Sequence, residues 1–222
     1  MPNTAVQDQG NLPKMPLQRR GHQRVARILG AAEDILRESG VPGVTAHAVA
    51  KRAGVPPSSV YQFFPTPNAI LFALAQSLMS RVQPYFDEAL AGATIREWPD
   101  IIRTIALVGQ HFYRDVPHAA PLIIGSYRTS DIYATDKNFN ERMAHQVLET
   151  FAHFFQLPAI DKLEQKLLVM VEIADAVWAI SVRLHGVITD EFNMEAQRAM
   201  IGYLSNYLPP VLPRRQAKPP RK

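Results

Sequence analysis

The stretch "AKRAGVPPSSVYQFFP", Ala50–Pro65, decides how this chain is read. Two cations, Lys51 and Arg52, stand just before Gly54. Small polar and aromatic residues follow, with no charge among them. A core helix would not begin so polar, and a solvated helix would carry charges. Another molecule must therefore meet the residues after the turn. Thr45 is a good N-cap for a short helix over Ala46–Ala53, and Gly54 is its C-terminal stop. A second short helix is expected over about Pro57–Phe64. Two short helices joined by a glycine turn make a helix-turn-helix unit. The first crosses the DNA backbone, and the opening residues of the second enter the major groove.

The residue types suit that geometry. Gly54 can take φ > 0, and Val55 can plug the turn into a core. Val60 and Phe64, four apart, can anchor the second short helix to the helix before the unit. The opposite face, Pro57, Ser58, Ser59 and Gln62, is then exposed. Hydroxyls and a carboxamide suit base edges, and Gln can bond adenine in a bidentate way. The N-terminus of this helix also suits a phosphate. Lys51 and Arg52 end the preceding helix beside the backbone. The competing reading of the same spacing is a helical hairpin with a polar surface.

Working outward, Val25, Ile28, Leu29, Ala32, Ile35 and Leu36 recur at helical spacing from Arg24 until Gly40. Thr66-Pro67 reads as N-cap and first helical residue of a longer fourth helix. Its apolar positions are Ile70, Leu71, Leu74, Leu78 and Val82, with a kink expected at Pro84. Pro99 opens a helix with Ile101, Ile105, Val108 and Phe112 on one face. A short segment follows near Pro121–Arg128. Phe139, Met143, Val147, Phe151 and Phe154 mark the next helix. Asp161 and Glu164 read as a capping box for a run to His185, stopped by Gly186. The last helix carries Ala196, Ala199, Met200, Tyr203, Leu204 and Tyr207. No alternating strand pattern or internal repeat is found.

At this point the pattern Thr45-x-x-x-Val49-Ala50-x-x-Ala53-Gly54-Val55-x-x-x-x-Val60-Tyr61-x-x-Phe64 resembles the DNA-binding signature of the TetR family of bacterial transcriptional regulators. The preceding "RVARILGAAEDILRESG", Arg24–Gly40, is similar to that family's first helix. The resemblance covers about residues 20–80. Beyond them only the helical organisation matches. It implies a homodimer of all-α subunits. A three-helix head would read an operator half-site, and the C-terminal helices would hold a small molecule and the dimer interface. Position by position, it implies phosphate contacts from Thr45 and Tyr61 and base contacts from Pro57, Ser58, Ser59 and Gln62. His47 sits where its helix can reach DNA. The family usually has His or Tyr where this chain has Phe63, and Lys where it has Pro67. The N-terminus of the fourth helix, with Asn68, can substitute for that lysine. Arg19, Arg20, Arg24 and Arg27 can add cations, as can Lys51 and Arg52.

The expected organisation is a disordered arm (1–18), a head (19–66), a helical ligand-binding and dimerisation body (67–208) and a basic, Pro-rich, disordered tail (209–222). Charge follows the same division. Residues 1–55 carry eight Lys/Arg against four Asp/Glu, residues 56–207 eleven against sixteen, and residues 208–222 five cations and no anion. Basic ends on an acidic body point to a polyanion partner near the N-terminus. The alternative reading of that charge is solubility alone.

In the body, Leu163, Leu167, Met170, Val171, Ala174 and Trp178 form one apolar face of their helix. Leu168, Ile173, Val177 and Ile180 widen it, as expected of a helix packed on two sides. Ala199 and Gly202 on the last helix allow close approach. The expected dimer interface is Leu167, Val171, Ala174, Trp178, Ala199, Gly202 and Tyr203. The expected ligand residues are Phe86, His111, Phe112, Tyr127, Arg128, Phe151 and Trp178, an aromatic set with a few polar groups. For any single aromatic, plain core packing competes.

Other functional classes find little support. Cysteine is absent, which excludes disulfides, thiolate catalysis and Cys-metal sites. There is no Gly-x-Ser-x-Gly elbow, phosphate-cradling glycine loop or His-Glu-x-x-His. Asp175, inside "EIADAVWAISV", is a candidate buried carboxylate with a structural role. No cofactor or metal is expected. No run is long enough for a membrane span, and the N-terminus does not read as a signal peptide. The expected location is the bacterial cytoplasm, on the nucleoid when bound. The expected function is a ligand-responsive DNA-binding regulator, a repressor that binds a palindromic operator as a dimer and is released by a small molecule. The alternative is a helical dimeric interaction protein that has lost DNA reading.

Overall fold

The computed structural model describes Pro13, residues 19–125 and residues 130–215, and only the backbone of 130–138. The expected arm, the candidate ligand residues Tyr127 and Arg128, and residues 216–222 fall outside these, Pro13 excepted. The described residues form ten α-helices, a short 3-10 helix (Val41–Gly43) and one isolated β-bridge. None of the helices is long and apolar enough to cross a membrane.

α1 (Arg19–Ser39) starts five residues earlier than its apolar pattern. Extension adds a backbone hydrogen bond per residue once a helix is nucleated, so the largely exposed Arg19–Gln23 join the helix ahead of the stripe Val25, Ile28, Ala32 and Ile35. Gly40 ends it at φ 68. α2 (Ala46–Ala53) begins at Thr45, whose Oγ1 accepts the Ala48 N–H at 3.2 Å. It ends at Gly54, φ 61, where the Val55 N–H reaches back to the Ala50 carbonyl at 3.1 Å. This six-residue closure satisfies an orphan carbonyl and needs a residue that tolerates the left-handed region. α3 (Pro57–Phe63) is seated by Val60 and Phe64, both with no exposed surface. α1, α2 and α3 make the head.

α4 (Pro67–Met79) carries the chain from head to body, capped by Thr66 and packed on α1, α7 (Ala119–Ile123) and α8 (Ser130–Phe154). The fourth helix breaks at Ser80–Arg81 and does not bend at Pro84. Pro84 falls in the first turn of α5 (Val82–Gly92), where the N–H it lacks has no helical partner anyway. α6 (Trp98–Asp115) opens with a true capping box of Glu97 and Asp100.

α9 (Leu163–His185) lies between α8 and α10 (Asp190–Leu204). Its expected capping box is not formed. Lys162 is the N-cap at φ 51, Glu164 instead meets His145 Nδ1 at 3.0 Å, and the Asp161 carbonyl accepts from Lys166 Nζ at 2.8 Å. The left-handed cap turns the chain in one residue too late for Asp161 to reach.

The start of the tail differs from the expectation of disorder. Leu212 is buried, as is Leu208 just before the tail. The Pro209 carbonyl accepts the Trp98 indole N–H at 3.0 Å, and Arg214 donates to the Ile95 carbonyl at 2.8 Å. A bridge between Phe155 and Arg214 ties the strap to the end of α8.

Candidate nucleic-acid interface and effector cavity

α3 has two chemically opposite faces. Val60 and Phe63 are buried, while Pro57, Ser58, Tyr61 and Gln62 are exposed and Ser59 is half-buried. Since Phe63 packs inward, no DNA contact is expected from that position. Beside this face lie exposed Thr45 and His47 of α2. The His47 ring meets Tyr61 edge-on at 6.4 Å between centroids. The Thr45 hydroxyl accepts its capping bond through a lone pair, which leaves its own proton to donate. Lys51 and Arg52 project from the last turn of α2, Asn68 from the first turn of α4 and Arg24 from α1; all four are exposed.

Two of the cations have internal work. Arg27 donates to the Gly54 carbonyl at 3.4 Å, holding the turn between α2 and α3. Arg52 forms a two-pronged pair with Glu38 of α1, at 2.9 and 2.5 Å. Those hydrogen bonds hold the Glu38 carboxyl below the usual carboxylate range. A phosphate that recruits Arg52 must compete with this pair.

In the body, a cavity of about 60 Å³ opens between α6, α8 and α9. Phe112 and Trp178 line it, as do Tyr113, Phe139 and the polar pair Asn140 and Asp175. The Asn140 carboxamide donates to Asp175 at 3.0 Å and to Glu172 at 3.2 Å. The Trp178 indole N–H donates to Asn193 at 3.2 Å, and Asn193 in turn donates to Gln110 at 2.9 Å. Gly109 lets the indole lie against α6: a Cβ there would stand 2.3 Å from Trp178 Cη2.

The other ligand expectations separate from this cavity. Phe151 is packed beside Trp98, ring centroids 6.4 Å apart. Phe86, only 1% exposed, lines a different groove, against α8. Both fill the core because their stripes point between helices and away from the cavity. His111 is exposed on the outer face of α6, over an open groove with Tyr85 and Arg103. Asn140 lines the cavity and is not among the ligand residues the sequence suggests. Its signal was a carboxamide on the buried stripe of α8, beside Ala144 and Val147.

The interface expectation needs correction at four positions. Leu167, Val171, Ala174 and Trp178 are buried inside their own subunit, 1% to 8% exposed, and offer a partner no surface. α9 has two apolar stripes, and this one faces inward. The outward stripe is Val169, Ile173, Val177, Ile180 and Leu184, with Leu184 62% exposed. Met194, Ile201 and Gly202 continue it on α10, and a Cβ at Gly202 would meet nothing within 4 Å. Ala199 and Tyr203 are half-buried.

Two family models match separate parts of the chain. A family model described as "Bacterial regulatory proteins, tetR family" matches residues 28–74, and "Tetracyclin repressor-like, C-terminal domain" matches residues 96–208. No curated protein sequence matches the chain. Among solved structures, a TetR-family transcriptional regulator from Streptomyces coelicolor is 26% identical with a TM-score of 0.62, over 83% of this chain and 99% of that one. A TetR transcriptional regulator from Rhodococcus sp. RHA1 is 19% identical with a TM-score of 0.65, over 85% and 99%. The multidrug binding protein EbrR, complexed with imidazole, is 19% identical with a TM-score of 0.57, over 81% and 94%.

Proposed function

The chain belongs to the TetR family of bacterial regulatory proteins, as a ligand-responsive DNA-binding regulator, and from that premise we propose that it is a repressor that grips a palindromic operator as a two-fold dimer. The observation that carries the DNA side is the split of α3: Val60 and Phe63 buried, Ser58 and Gln62 exposed without a charge. Gln62 reads a base edge and the hydroxyls of Ser58 and Ser59 assist. Thr45, Tyr61, Lys51 and Asn68 hold phosphates, which position the head without reading sequence. Arg24 adds charge from α1, and Arg52 joins when it leaves Glu38.

The second copy docks on the outward stripe of α9 and on α10 through Val177, Ile180, Leu184 and Gly202. Burial of these apolar groups drives the pairing. Two heads on one dimer then meet half-sites about 34–36 Å apart. The effector enters the cavity beside Phe112 and Trp178. At about 60 Å³ the cavity is far below the several hundred Å³ of a drug-sized pocket. An effector of that size must therefore part α6 from α9 as it enters. EbrR, a neighbour in fold, binds drugs and holds imidazole; by analogy, small aromatic molecules with a hydrogen-bonding group suit this site, with Asn140 and Asp175 as their partners. A ligand that favours misplaced heads lowers operator affinity by population shift.

Selection of the purified protein against random duplex, at a stated salt concentration, tests the reading. An enriched palindrome supports it. A folded dimer that enriches no sequence, before and after unfolding and refolding to strip any bound ligand, refutes it.

A further inference from the structure

Among the described residues, a charged cluster links the head to the body. Glu33, on α1, is 9% exposed although it carries a carboxylate. Arg81 grips it in a fork, Nη1 to Oε1 at 2.8 Å and Nη2 to Oε2 at 2.5 Å. His118 Nε2 lies 3.2 Å from Oε1. Arg37, one turn along α1, reaches the same oxygen at 3.4 Å. The hydrogen bonds from Arg81 hold the Glu33 carboxyl below the usual carboxylate range. Buried His118 Nδ1 has no hydrogen-bond partner among the described residues. The Glu33 carboxylate can only accept, so His118 Nε2 is the donor of that contact.

The placement of these three groups is what matters. Glu33 belongs to the helix on which α2 is seated, and α2 in turn carries α3. Arg81 stands in the break between α4 and α5, where the chain has no continuous helix to hold its direction. His118 stands at the corner between α6 and α7, six residues after Phe112 in the cavity wall. Apolar packing between α1 and α4 resists separation but resists sliding less, because it has no direction. A bidentate guanidinium–carboxylate pair is directional and fixes an angle.

We propose that Glu33, held by Arg81 and His118, sets the angle of the reading head on the body and thereby the half-site spacing that the dimer accepts. The proposal rests on the dimeric reading above. One inserted base pair moves the second half-site by about 3.4 Å and turns it by about a tenth of a turn. A clamped head cannot follow, and a loosened one can. Base reading by α3 is untouched, since none of the three residues lies on its exposed face.

The test uses the full-length protein and the palindrome it selects. Affinity is measured on that site, on the site lengthened by one base pair and on a duplex with a single half-site. The variants are Glu33→Gln, which keeps the shape and removes the charge, and His118→Ala. Arg81→Lys keeps the charge and removes the fork; its side chain is 45% exposed, so it carries the test if Glu33→Gln fails to fold. The expected result is a folded variant with single-half-site affinity within about twofold of the parent. Its preference for the native spacing should fall by about tenfold, within the usual range of coupling between sites. Folded variants that keep the parent's spacing preference overturn the proposal alone. A parent protein that prefers the palindrome to the single half-site but not its native spacing also overturns the proposal alone; one that binds the single half-site as tightly as the palindrome overturns the dimeric reading, and the proposal with it.

Discussion

Replacing Gly109 by Ala should destabilise this protein, although Ala is the better helix former. The position is inside α6, where Ala gains about 1 kcal/mol over Gly from backbone entropy alone. The new Cβ, however, would stand 2.3, 2.6 and 3.0 Å from Cη2, Cζ3 and Cζ2 of Trp178. These are atoms of a rigid ring, and the indole N–H is tethered to Asn193 at 3.2 Å. Neither partner is a flexible chain end, so the ring or the helix must move. Overpacking of this kind costs about 1–3 kcal/mol. The net loss is then about 0–2 kcal/mol, or a melting temperature lower by up to about 8 °C in a chain of this size.

Gly30 supplies the control. It lies in α1, is exposed, and a Cβ there would meet nothing within 4 Å. Gly30→Ala should therefore raise the melting temperature by a few degrees, through the same propensity term and no clash. Calorimetry of both variants at one fixed protein concentration decides the matter. Equal stabilisation by the two substitutions would refute the claim that the indole occupies the space beside Gly109. A double-mutant cycle adds a second check: in a Trp178→Phe background the penalty at Gly109 should shrink, since the two sites are in contact.

Gln62→Ala should weaken the selected operator by about 1–3 kcal/mol while leaving random duplex unchanged, and an equal loss on both by gel shift would remove Gln62 from base reading. Lys51→Ala should weaken all duplexes alike and flatten the slope of log affinity against log salt by about one unit; an unchanged slope would take Lys51 out of the phosphate contacts. Ile180→Glu should yield a helical monomer in sedimentation, because it places a charge on the outward stripe of α9, and a dimer that persists would relocate the interface. Glu33 has its folded pKa depressed, so its contribution is fully present above the unfolded value of about 4.3 and is lost as pH falls through the folded value. The melting-temperature gap between parent and Glu33→Gln should accordingly hold from pH 6 to 8 and narrow at about pH 3. A gap that stays constant to that pH would mean that Glu33 is not the charged partner of Arg81.

The reading head was legible because its signals are local. Thr45, Gly54, Thr66 and Pro67 each act on a backbone group within a few residues, and the structure places caps and stops at those positions. Val60 and Phe64 could be named as anchors because a short helix has only one face to bury. The exposed face of α3 followed by subtraction. In the body, the same periodicity gave helices without orientation. α9 carries two apolar stripes, and nothing along its own length says which faces inward. The fourth helix was legible as helix but not its break, because a proline within the first turn of a new helix reads the same as one that kinks an old one. The strap after Leu208 was read as a disordered tail from its prolines and cations; its order comes from Trp98, Ile95 and Phe155, residues far away in the chain.

The sequence by itself determined the all-helical class, the helix-turn-helix unit and the residues that unit leaves exposed. Those depend on hydrogen bonds and φ angles spanning a turn or less. Only the tertiary structure decided which stripe of α9 is core, where Asn140 and Asp175 meet, why Gly109 must stay small, and that Glu33 joins head to body. The last three are contacts between residues 35 to 85 positions apart, and distance along the chain carries no record of closeness in space.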